Sequence, residues 1–232
     1  MEFETSVQDI VQRTYNVKSF RFSRPVGLGY KAGQYMFVTL KASGKELRKH
    51  FTISSSPSES TFIEFTKRIT GSEFSAALNT LGKGDWAKIS APYGNFTFEG
   101  EFAKIGMLSG GIGITPLRSI CKYCTDMKLD TKITLLYGNR SEQDIVFRKE
   151  LEEMKEQNKN LKVIFTLDEP NESWTGHKGR ITADMIKNEN PNYLDTVFFT
   201  CGPPAMVEAM KKLLATLNIP QEQIRWELFP GY

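Results

Sequence analysis

The stretch Met107-Leu-Ser-Gly-Gly-Ile-Gly-Ile-Thr-Pro116 follows an apolar, β-rich run and precedes a helical pattern. Its glycines allow the backbone to approach a ligand, and Pro116 suits the first turn of a helix. The free N–H groups of such a helix start attract the pyrophosphate of a dinucleotide. The spacing is not the G-x-G-x-x-G of the common dinucleotide fingerprint. The stretch alone therefore indicates either a phosphate-binding loop or a tight structural turn.

Strands and helices alternate around this loop through residues 101–232. The pattern predicts strands over 104–109, 132–137, 161–167, 196–200 and 223–228, and helices over 116–127, 146–156, 182–187 and 203–217. This alternation predicts an α/β domain with a doubly wound parallel sheet, which binds ligands beyond the carboxyl ends of its strands.

Residues 1–100 have a different rhythm. Short β-rich runs over 34–40, 62–68 and 86–90 are separated by glycines, and one helix is predicted over 72–81. This pattern predicts a small, closed antiparallel β-barrel. The chain is therefore expected to have an α+β, two-domain fold. The join over 99–103 is too short for a flexible linker, so we expect the domains to pack closely.

The composition excludes several classes of protein. A formal net charge of +3 offers no electrostatic case for nucleic acid. No apolar run approaches the roughly 18–20 residues that cross a bilayer, and the N-terminal residues do not resemble a signal peptide. We expect no membrane span and a cytoplasmic location. The three cysteines are too few for a disulfide framework or an iron–sulfur cluster, and Cys121 and Cys124 lie in a predicted helix with a structural role.

A second loop, Cys201-Gly-Pro-Pro-Ala-Met206, also lies between a predicted strand and a predicted helix. Two such loops at the carboxyl edge of one sheet form a cleft. A neutral sulfur at Cys201 suits contact with a nicotinamide ring. The alternative is a small buried residue before a turn.

A third motif, Lys49-His-Phe-Thr-Ile-Ser-Ser-Ser-Pro57, combines a cation, an aromatic ring and hydroxyl groups. Phe51 suits stacking on a flavin, Thr52 a hydrogen bond near the reactive ring nitrogen, and the cation a phosphate. The alternative is a strand that ends in a serine-rich turn.

The segment Gly71-Ser-Glu-Phe-Ser75 begins the predicted helix of the first domain. A helix N-terminus at this position favours an anion, although simple capping by Ser72 explains the same residues. At the other end of the chain, Trp226-Glu-Leu-Phe-Pro-Gly-Tyr232 has a Pro-Gly bend before its last aromatic residue, which indicates a placed ring.

In this order and spacing, the motifs resemble the ferredoxin–NADP reductase superfamily, in which a flavin-binding barrel precedes an NAD(P)-binding domain. The resemblance spans nearly the whole chain. It implies a flavin-dependent oxidoreductase that transfers electrons between NADH or NADPH and an acceptor through bound FAD, with FMN less favoured.

The resemblance also implies which residues form each site. Residues assigned to the flavin are Arg48, Lys49, His50, Phe51, Thr52, Ile53, Ser54, Lys67, Ile69, Gly71, Ser72, Phe74, Ser75 and Tyr232. Residues assigned to NAD(P) are Gly110, Gly111, Gly113, Thr115, Pro116, Gly138, Asn139, Arg140, Cys201, Gly202, Pro203 and Met206. Catalytic roles, by contact with the flavin or nicotinamide ring, fall to Thr52, Cys201, Glu227 and Tyr232.

Two points of chemistry stay open. Lys49 stands where the family prefers arginine, and lysine cannot bind phosphate bidentately. Either Arg48 substitutes from a shifted position or the pyrophosphate is held less firmly. Arg140 suits the 2′-phosphate of NADPH and equally suits a solvent-facing turn in an enzyme that uses NADH.

The acceptor is also open, between a ferredoxin- or flavodoxin-like protein, another redox partner and a small molecule. Three alternative functions remain. These are a reductase that uses flavin as its substrate, an electron-transfer subunit of a larger redox complex, and a nucleotide-sensing module without turnover.

Overall fold

The first half of the chain folds into an antiparallel sheet. The structure, a computed structural model, describes residues 1–42 and 44–229. The strands of this sheet are β1 (Glu2–Thr14), β2 (Val17–Ser23), β3 (Tyr35–Ala42), β4 (Lys45–Thr52), β5 (Phe62–Arg68) and β6 (Trp86–Tyr93), and helix α1 (Glu73–Thr80) lies between β5 and β6. Their spatial order is β4-β3-β6-β1-β2-β5.

The sheet closes because its two outer strands meet. An antiparallel bridge joins Ile53, just after β4, to Phe65 on β5. The long strand β1 turns a corner: its first residues pair with β6, and its later residues pair with β2. The interior is filled by side chains such as Phe20, Phe65 and Met36, which are fully buried. The predicted barrel is therefore confirmed.

The second half forms a parallel sheet with helices. Its elements are β7 (Lys104–Gly110), α2 (Ile114–Asp126), β8 (Lys132–Asn139), α3 (Arg148–Gln157), β9 (Leu161–Leu167), β10 (His177–Lys178), α4 (Ala183–Glu189), β11 (Val197–Gly202), α5 (Pro204–Thr216) and β12 (Ile224–Leu228). The order β10-β9-β8-β7-β11-β12 confirms the doubly wound prediction. The chain first extends the sheet to one side of β7 and then crosses to the other side. The switch point therefore lies between β7 and β11, where ligands bind in such sheets.

Most predicted elements agree with the structure to within two residues at each end. Strand β6 is three residues longer than predicted, and β1, β2, β4 and the short β10 lay outside the predicted strands. Helix α3 begins at Arg148 rather than at residue 146, because Phe147 has a φ of 60° and cannot continue a right-handed helix. The proposed domain division at residue 100 lies in the connection between β6 and β7.

The two halves pack directly against each other, as the short join predicted. Phe98, just before the join, is fully buried and meets Phe199 of β11 edge to face, with ring centroids 6.0 Å apart. At the far side of the interface, the Tyr15 hydroxyl donates a hydrogen bond to Asp144 at 3.0 Å. Within the described ranges, every helix is too short or too polar to cross a membrane.

Candidate functional site

The two glycine-containing loops of the sequence meet at the switch point. Ser109 on β7 is paired with Cys201 on β11, so the ends of these strands lie side by side. A Cβ atom added to Gly113 would lie 2.2 Å from the carbonyl oxygen of Cys201. Only glycine therefore allows the start of α2 to rest on the end of β11. Gly111 contributes differently, since its φ of +53° lies in the left-handed region.

A buried tyrosine that the sequence did not reveal holds this loop. The Tyr137 hydroxyl donates a hydrogen bond of 2.7 Å to the carbonyl oxygen of Gly111. The side chain is fully buried on β8, and burial raises the pKa of its phenol. The hydrogen bond from Tyr137 and the glycines of the loop thus both fix its conformation.

A first cavity of about 630 Å³ lies between the barrel and this sheet edge. It is lined by residues from both domains, and eight of them were predicted for the site: Arg48, Lys49, His50, Phe51, Thr52, Lys67, Thr115 and Glu227. The other residues that line it are Tyr35, Phe37, Thr66, Ile112, Leu228 and Phe229. The structure therefore brings the flavin motif and the start of α2 to opposite walls of one cleft.

A second cavity of about 620 Å³ adjoins the first and shares Lys49, Lys67 and Ile112 with it. Its remaining lining residues are Arg68, Thr70, Ser72, Gly110, Gly111, Pro203 and Met206. Burial and the nearby charge of Lys49 lower the pKa of Lys67. The Arg68 Nε atom is buried and has no hydrogen-bond partner among the described residues. Two lysines and an arginine beside two glycines suit a pyrophosphate.

Lys49 and Arg48 lie on different surfaces of β4. Arg48 points to the outer face of β4, where its guanidinium lies over the Phe37 ring at 4.5 Å from the centroid. Lys49, on the other face, lines both cavities, whereas Arg48 lines only the first. Lys49 is therefore the cation of this motif at the second cavity.

The Phe51 side chain is less accessible for stacking on a flavin than the motif implied. It is buried and stacks on Phe65 with ring centroids 4.5 Å apart, and it meets Phe74 at a tilt with centroids 5.2 Å apart. Phe65 of the barrel thus covers one face of the Phe51 ring. Thr52 lies on the opposite face of β4, paired with Tyr35.

Six other residues predicted for the flavin lie outside both cavity linings: Ile53, Ser54, Ile69, Gly71, Phe74 and Ser75. Ile53 and Ser54 are fully buried in the barrel, and Ile69 is half-buried against it. Ser75 is also buried, and its backbone N–H donates to the Ser72 hydroxyl at 3.3 Å. Capping by Ser72 is therefore present, and Ser72 also lines the second cavity.

An aromatic cluster on the outer barrel face was missed by sequence reasoning. Tyr35 and Tyr93 stack at 5.7 Å, and Phe37 and His50 pack against Tyr35 at 5.9 Å and 5.5 Å between ring centroids. These residues come from three strands, so only the strand pairing brings them together. Three of them, Tyr35, Phe37 and His50, line the first cavity.

Cys201 lies behind the cleft rather than on its surface. Its side chain is fully buried, and the thiol donates a hydrogen bond to the Gly113 carbonyl oxygen at 3.0 Å. Burial raises the pKa of this thiol well above its ordinary value. The predicted contact of its sulfur with a nicotinamide stays a prediction. In the same loop, Pro203 and Met206 reach the second cavity.

Glu227 brings a carboxyl group into the first cavity from β12, next to Cys201 in the sheet register. Burial raises its pKa to about 7. Its Oε2 atom has no hydrogen-bond partner within residues 1–42 and 44–229. A buried oxygen of this kind is matched by a ligand or water donor in most proteins. The predicted flavin contact of Tyr232 lies outside the described residues.

The candidate ribose region follows β8. Gly138 and Asn139 end this strand, and the buried Asn139 side chain has no hydrogen-bond partner in the part of the chain that the structure describes. The next residue, Arg140, is 73% exposed and its Nε donates to the Glu169 carboxylate at 2.9 Å. The charge of the Arg140 guanidinium is therefore offset by the Glu169 carboxylate.

Comparisons with known proteins agree with this geometry. Residues 4–98 match the oxidoreductase FAD-binding domain family, and residues 107–212 match the oxidoreductase NAD-binding domain family. NADH-cytochrome b5 reductase 1 of Dictyostelium discoideum is 32% identical over 217 residues, which cover 90% of this chain and 76% of that protein. A glycine betaine monooxygenase reductase subunit of Pseudomonas aeruginosa is 31% identical, over 88% of this chain and 58% of that protein.

A solved structure shows the same fold. The ferredoxin NADP+ reductase from Neisseria gonorrhoeae with bound FAD and NADP aligns with a TM-score of 0.82 over 98% of each chain, at 19% identity. The chain belongs to the ferredoxin–NADP reductase superfamily. It is an FAD-dependent oxidoreductase that transfers electrons between NAD(P)H and an acceptor.

Proposed function

We propose that this protein is an NADH-dependent reductase that supplies electrons to a separate acidic redox protein. The observation that carries the proposal is the shared cleft, in which Thr52 of the barrel and Thr115 of α2 line one cavity. A ring bound on the barrel wall and a ring bound at the switch point then face each other. Bound FAD supplies the chemistry, because it accepts a hydride from the dihydronicotinamide and can release electrons singly.

The residues of the second cavity fit the pyrophosphate of FAD. Lys49, Lys67 and Arg68 provide positive charge, and the capped start of α1 at Ser72 provides N–H groups. Within residues 1–42 and 44–229 the Nε of Arg68 has no acceptor, so a phosphate oxygen would satisfy it. We assign the pyrophosphate to this cavity, and we assign the hydrogen bond to the reactive edge of the ring to Thr52.

The nicotinamide side is assigned to the switch point. The loop from Gly110 to Gly113 and Thr115 approach the cleft from α2, and Pro203 approaches it from β11. Glu227 faces the same cavity with a pKa of about 7, so near neutral pH part of the population keeps a proton at this wall. A protonated carboxyl group donates a hydrogen bond that a carboxylate cannot.

NADH is favoured over NADPH by the charges around the ribose region. The Arg140 guanidinium is paired with Glu169, and Asp144 adds a further negative charge nearby. These two acids disfavour a 2′-phosphate beside Arg140, whereas a carboxylate suits the 2′-hydroxyl of NADH. This pairing supports NADH over NADPH, two alternatives that the sequence left even.

The acceptor is proposed from the surface beside the cleft. Lys45, Arg48 and Lys49 are exposed along β4 together with one acid, Glu46, so this strand carries a net positive charge. It is an edge strand of the barrel apart from the bridge at Ile53. A positive edge attracts an acidic partner and raises the rate of encounter. The relatives are named as reductases of cytochrome b5 and of a monooxygenase, which is consistent with a protein acceptor.

An anaerobic titration followed by visible spectroscopy tests the proposal. The purified protein should be yellow and should be bleached by NADH at lower concentrations than by NADPH. Reduced protein should then reduce cytochrome b5, used as a probe, at a rate that falls as salt screens the positive edge.

Other outcomes favour the alternatives. Colourless protein that turns over only with added flavin would indicate a flavin-substrate reductase. Bound flavin that neither coenzyme bleaches would indicate a sensing module. A reduction rate that does not depend on salt would contradict the acidic protein acceptor.

A further inference from the structure

The interface between the barrel and α2 contains a buried arginine that no part of the proposed chemistry uses. Arg118 lies one helical turn after Thr115, and its side chain is 3% exposed. Its Nη1 donates to the carbonyl oxygen of Ser54 at 3.1 Å, and its Nη2 donates to Glu59 at 3.2 Å. Both partners belong to the barrel. A cation is buried at this depth only when it is paired and hydrogen-bonded.

The neighbouring residue makes a parallel contact. The Ser119 hydroxyl donates to the carbonyl oxygen of Ser55 at 2.7 Å. Two consecutive residues of α2 therefore bind two consecutive carbonyl groups of the barrel. These carbonyl groups lie just after β4, the strand that ends at Thr52.

The barrel side of this contact is itself rigid. The Ser54 hydroxyl donates to the buried Glu64 carboxylate at 2.9 Å, and its backbone N–H donates to the Glu64 carbonyl oxygen at 2.8 Å. Glu64 is held in turn by Arg13 at 3.0 Å and by Arg21 at 2.8 Å. Ser54 is thus fixed from both sides.

The other domain is tied into the same network. Glu150 of α3 accepts hydrogen bonds from Arg118 at 2.6 Å and 2.9 Å. Its other carboxylate oxygen pairs with Arg13 of the barrel. The nearby arginines lower the pKa of Glu150, so it stays ionised. Arg118 therefore bridges Glu59 of the barrel and Glu150 of the second domain. Arg13 of the barrel also pairs with Glu150, and it connects that acid to Glu64.

The network connects the two walls of the cleft by a short path. Ser54 is two residues beyond Thr52, and Arg118 is three residues beyond Thr115, while Thr52 and Thr115 line the same cavity. We propose that Arg118 and Ser119 are positioning residues that set the separation of these walls, and with it the distance for hydride transfer. The inference rests on the proposed function. Neither residue lines the described cavities.

Single-turnover kinetics of the FAD-loaded protein test this role. Ser119→Ala removes a single hydrogen bond and leaves the other contacts of the interface in place, so the fold is retained. Arg118→Lys keeps the charge but loses the forked geometry. Because misplacement by about 1 Å can cost on the order of 100-fold in rate, we expect flavin reduction by saturating NADH to slow by about 10-fold or more in both variants. FAD content and the NADH dissociation constant should stay near those of the parent protein.

The matched control is Arg148→Lys, because Arg148 pairs with two acids at the surface of α3 and is 39% exposed. This variant should reduce its flavin at the parental rate. An unchanged reduction rate in Ser119→Ala and Arg118→Lys would overturn the inference, as would a slowing explained entirely by lost FAD.

Hydrogen exchange gives a readout that does not depend on turnover. Amides over 53–56 should exchange faster in Ser119→Ala than in the parent, with or without FAD, since their anchor to α2 is lost. Unchanged exchange there would also overturn the inference. If NADH and NADPH both fail to bleach the parent protein, the proposed function has failed, and the exchange result still decides whether α2 anchors this segment.

Discussion

The buried carboxyl group of Glu227 leads to a quantitative prediction about stability and pH. Burial raises its pKa from about 4.5 to about 7. The folded protein therefore holds this proton more tightly than the unfolded chain does. The resulting stability is fully present below pH 4.5 and is lost as the pH rises through 7.

The size of the effect follows from the shift. A shift from about 4.5 to about 7, at about 1.4 kcal/mol per unit, corresponds to about 3 kcal/mol in the free energy of unfolding. The substitution Glu227→Gln keeps the size of the side chain and removes the ionisation. We expect the variant to match the parent near pH 4.5 and to be more stable by up to about 3 kcal/mol near pH 8.

Urea unfolding followed by circular dichroism at a series of pH values measures this difference. The flavin-free protein should be used, so that release of FAD does not contribute to the unfolding free energy. Subtracting the parent curve from the variant curve removes the titration of all other groups. The exposed acid Glu222 provides the control substitution Glu222→Gln. A difference for Glu227→Gln that stays flat between pH 4.5 and 8 would refute the assignment of a buried, protonated carboxyl group.

Three further predictions concern the coenzyme loops and the thiols. Gly113→Ala places a Cβ atom against a backbone oxygen, so it should lower the free energy of unfolding by about 1–3 kcal/mol and weaken NADH binding. Gly29 has open space around it, so the control Gly29→Ala should leave the free energy of unfolding in urea unchanged. Glu169→Gln should raise the Michaelis constant for NADH by about 10-fold. Arg140→Ala should leave the Michaelis constant for NADPH unchanged. A large rise of the NADPH constant in Arg140→Ala would show that Arg140 binds a 2′-phosphate. All three cysteines are buried, and burial raises the pKa of each thiol. None should therefore react within seconds with a disulfide reagent at pH 8. A thiol that reacts within seconds would contradict the packing around the cysteines.

The features that sequence predicted well are those that depend on local backbone geometry. The loop from residue 110 to 113 was recognised because a strand, closely spaced glycines and a helix start follow one another. The structure shows why Gly113 in particular is required: the helix rests on the carbonyl oxygen of Cys201. A local pattern cannot reveal that contact, but it does reveal the glycine that permits it.

Side-chain direction at strand ends was harder to predict. Successive residues of a strand face opposite sides of the sheet, so a motif read along β4 contains residues for two different surfaces. Phe51 turned inward to Phe65, while Arg48 turned outward to Phe37. Cys201 likewise turned inward behind its loop. Only the closure of the barrel and the placement of α2 decide which face becomes the cleft.

The charged interface was beyond the reach of sequence reasoning for a different reason. Arginine and glutamate are usually exposed, so nothing marks Arg118 or Glu64 as buried before the fold is known. The partners Glu59 and Arg118 are 59 residues apart, and Arg13 and Glu150 are 137 residues apart. Motifs therefore predict which residues form the walls of the cleft. The separation of those walls depends on polar contacts between distant segments, and it can be tested only by changing residues that no motif contains.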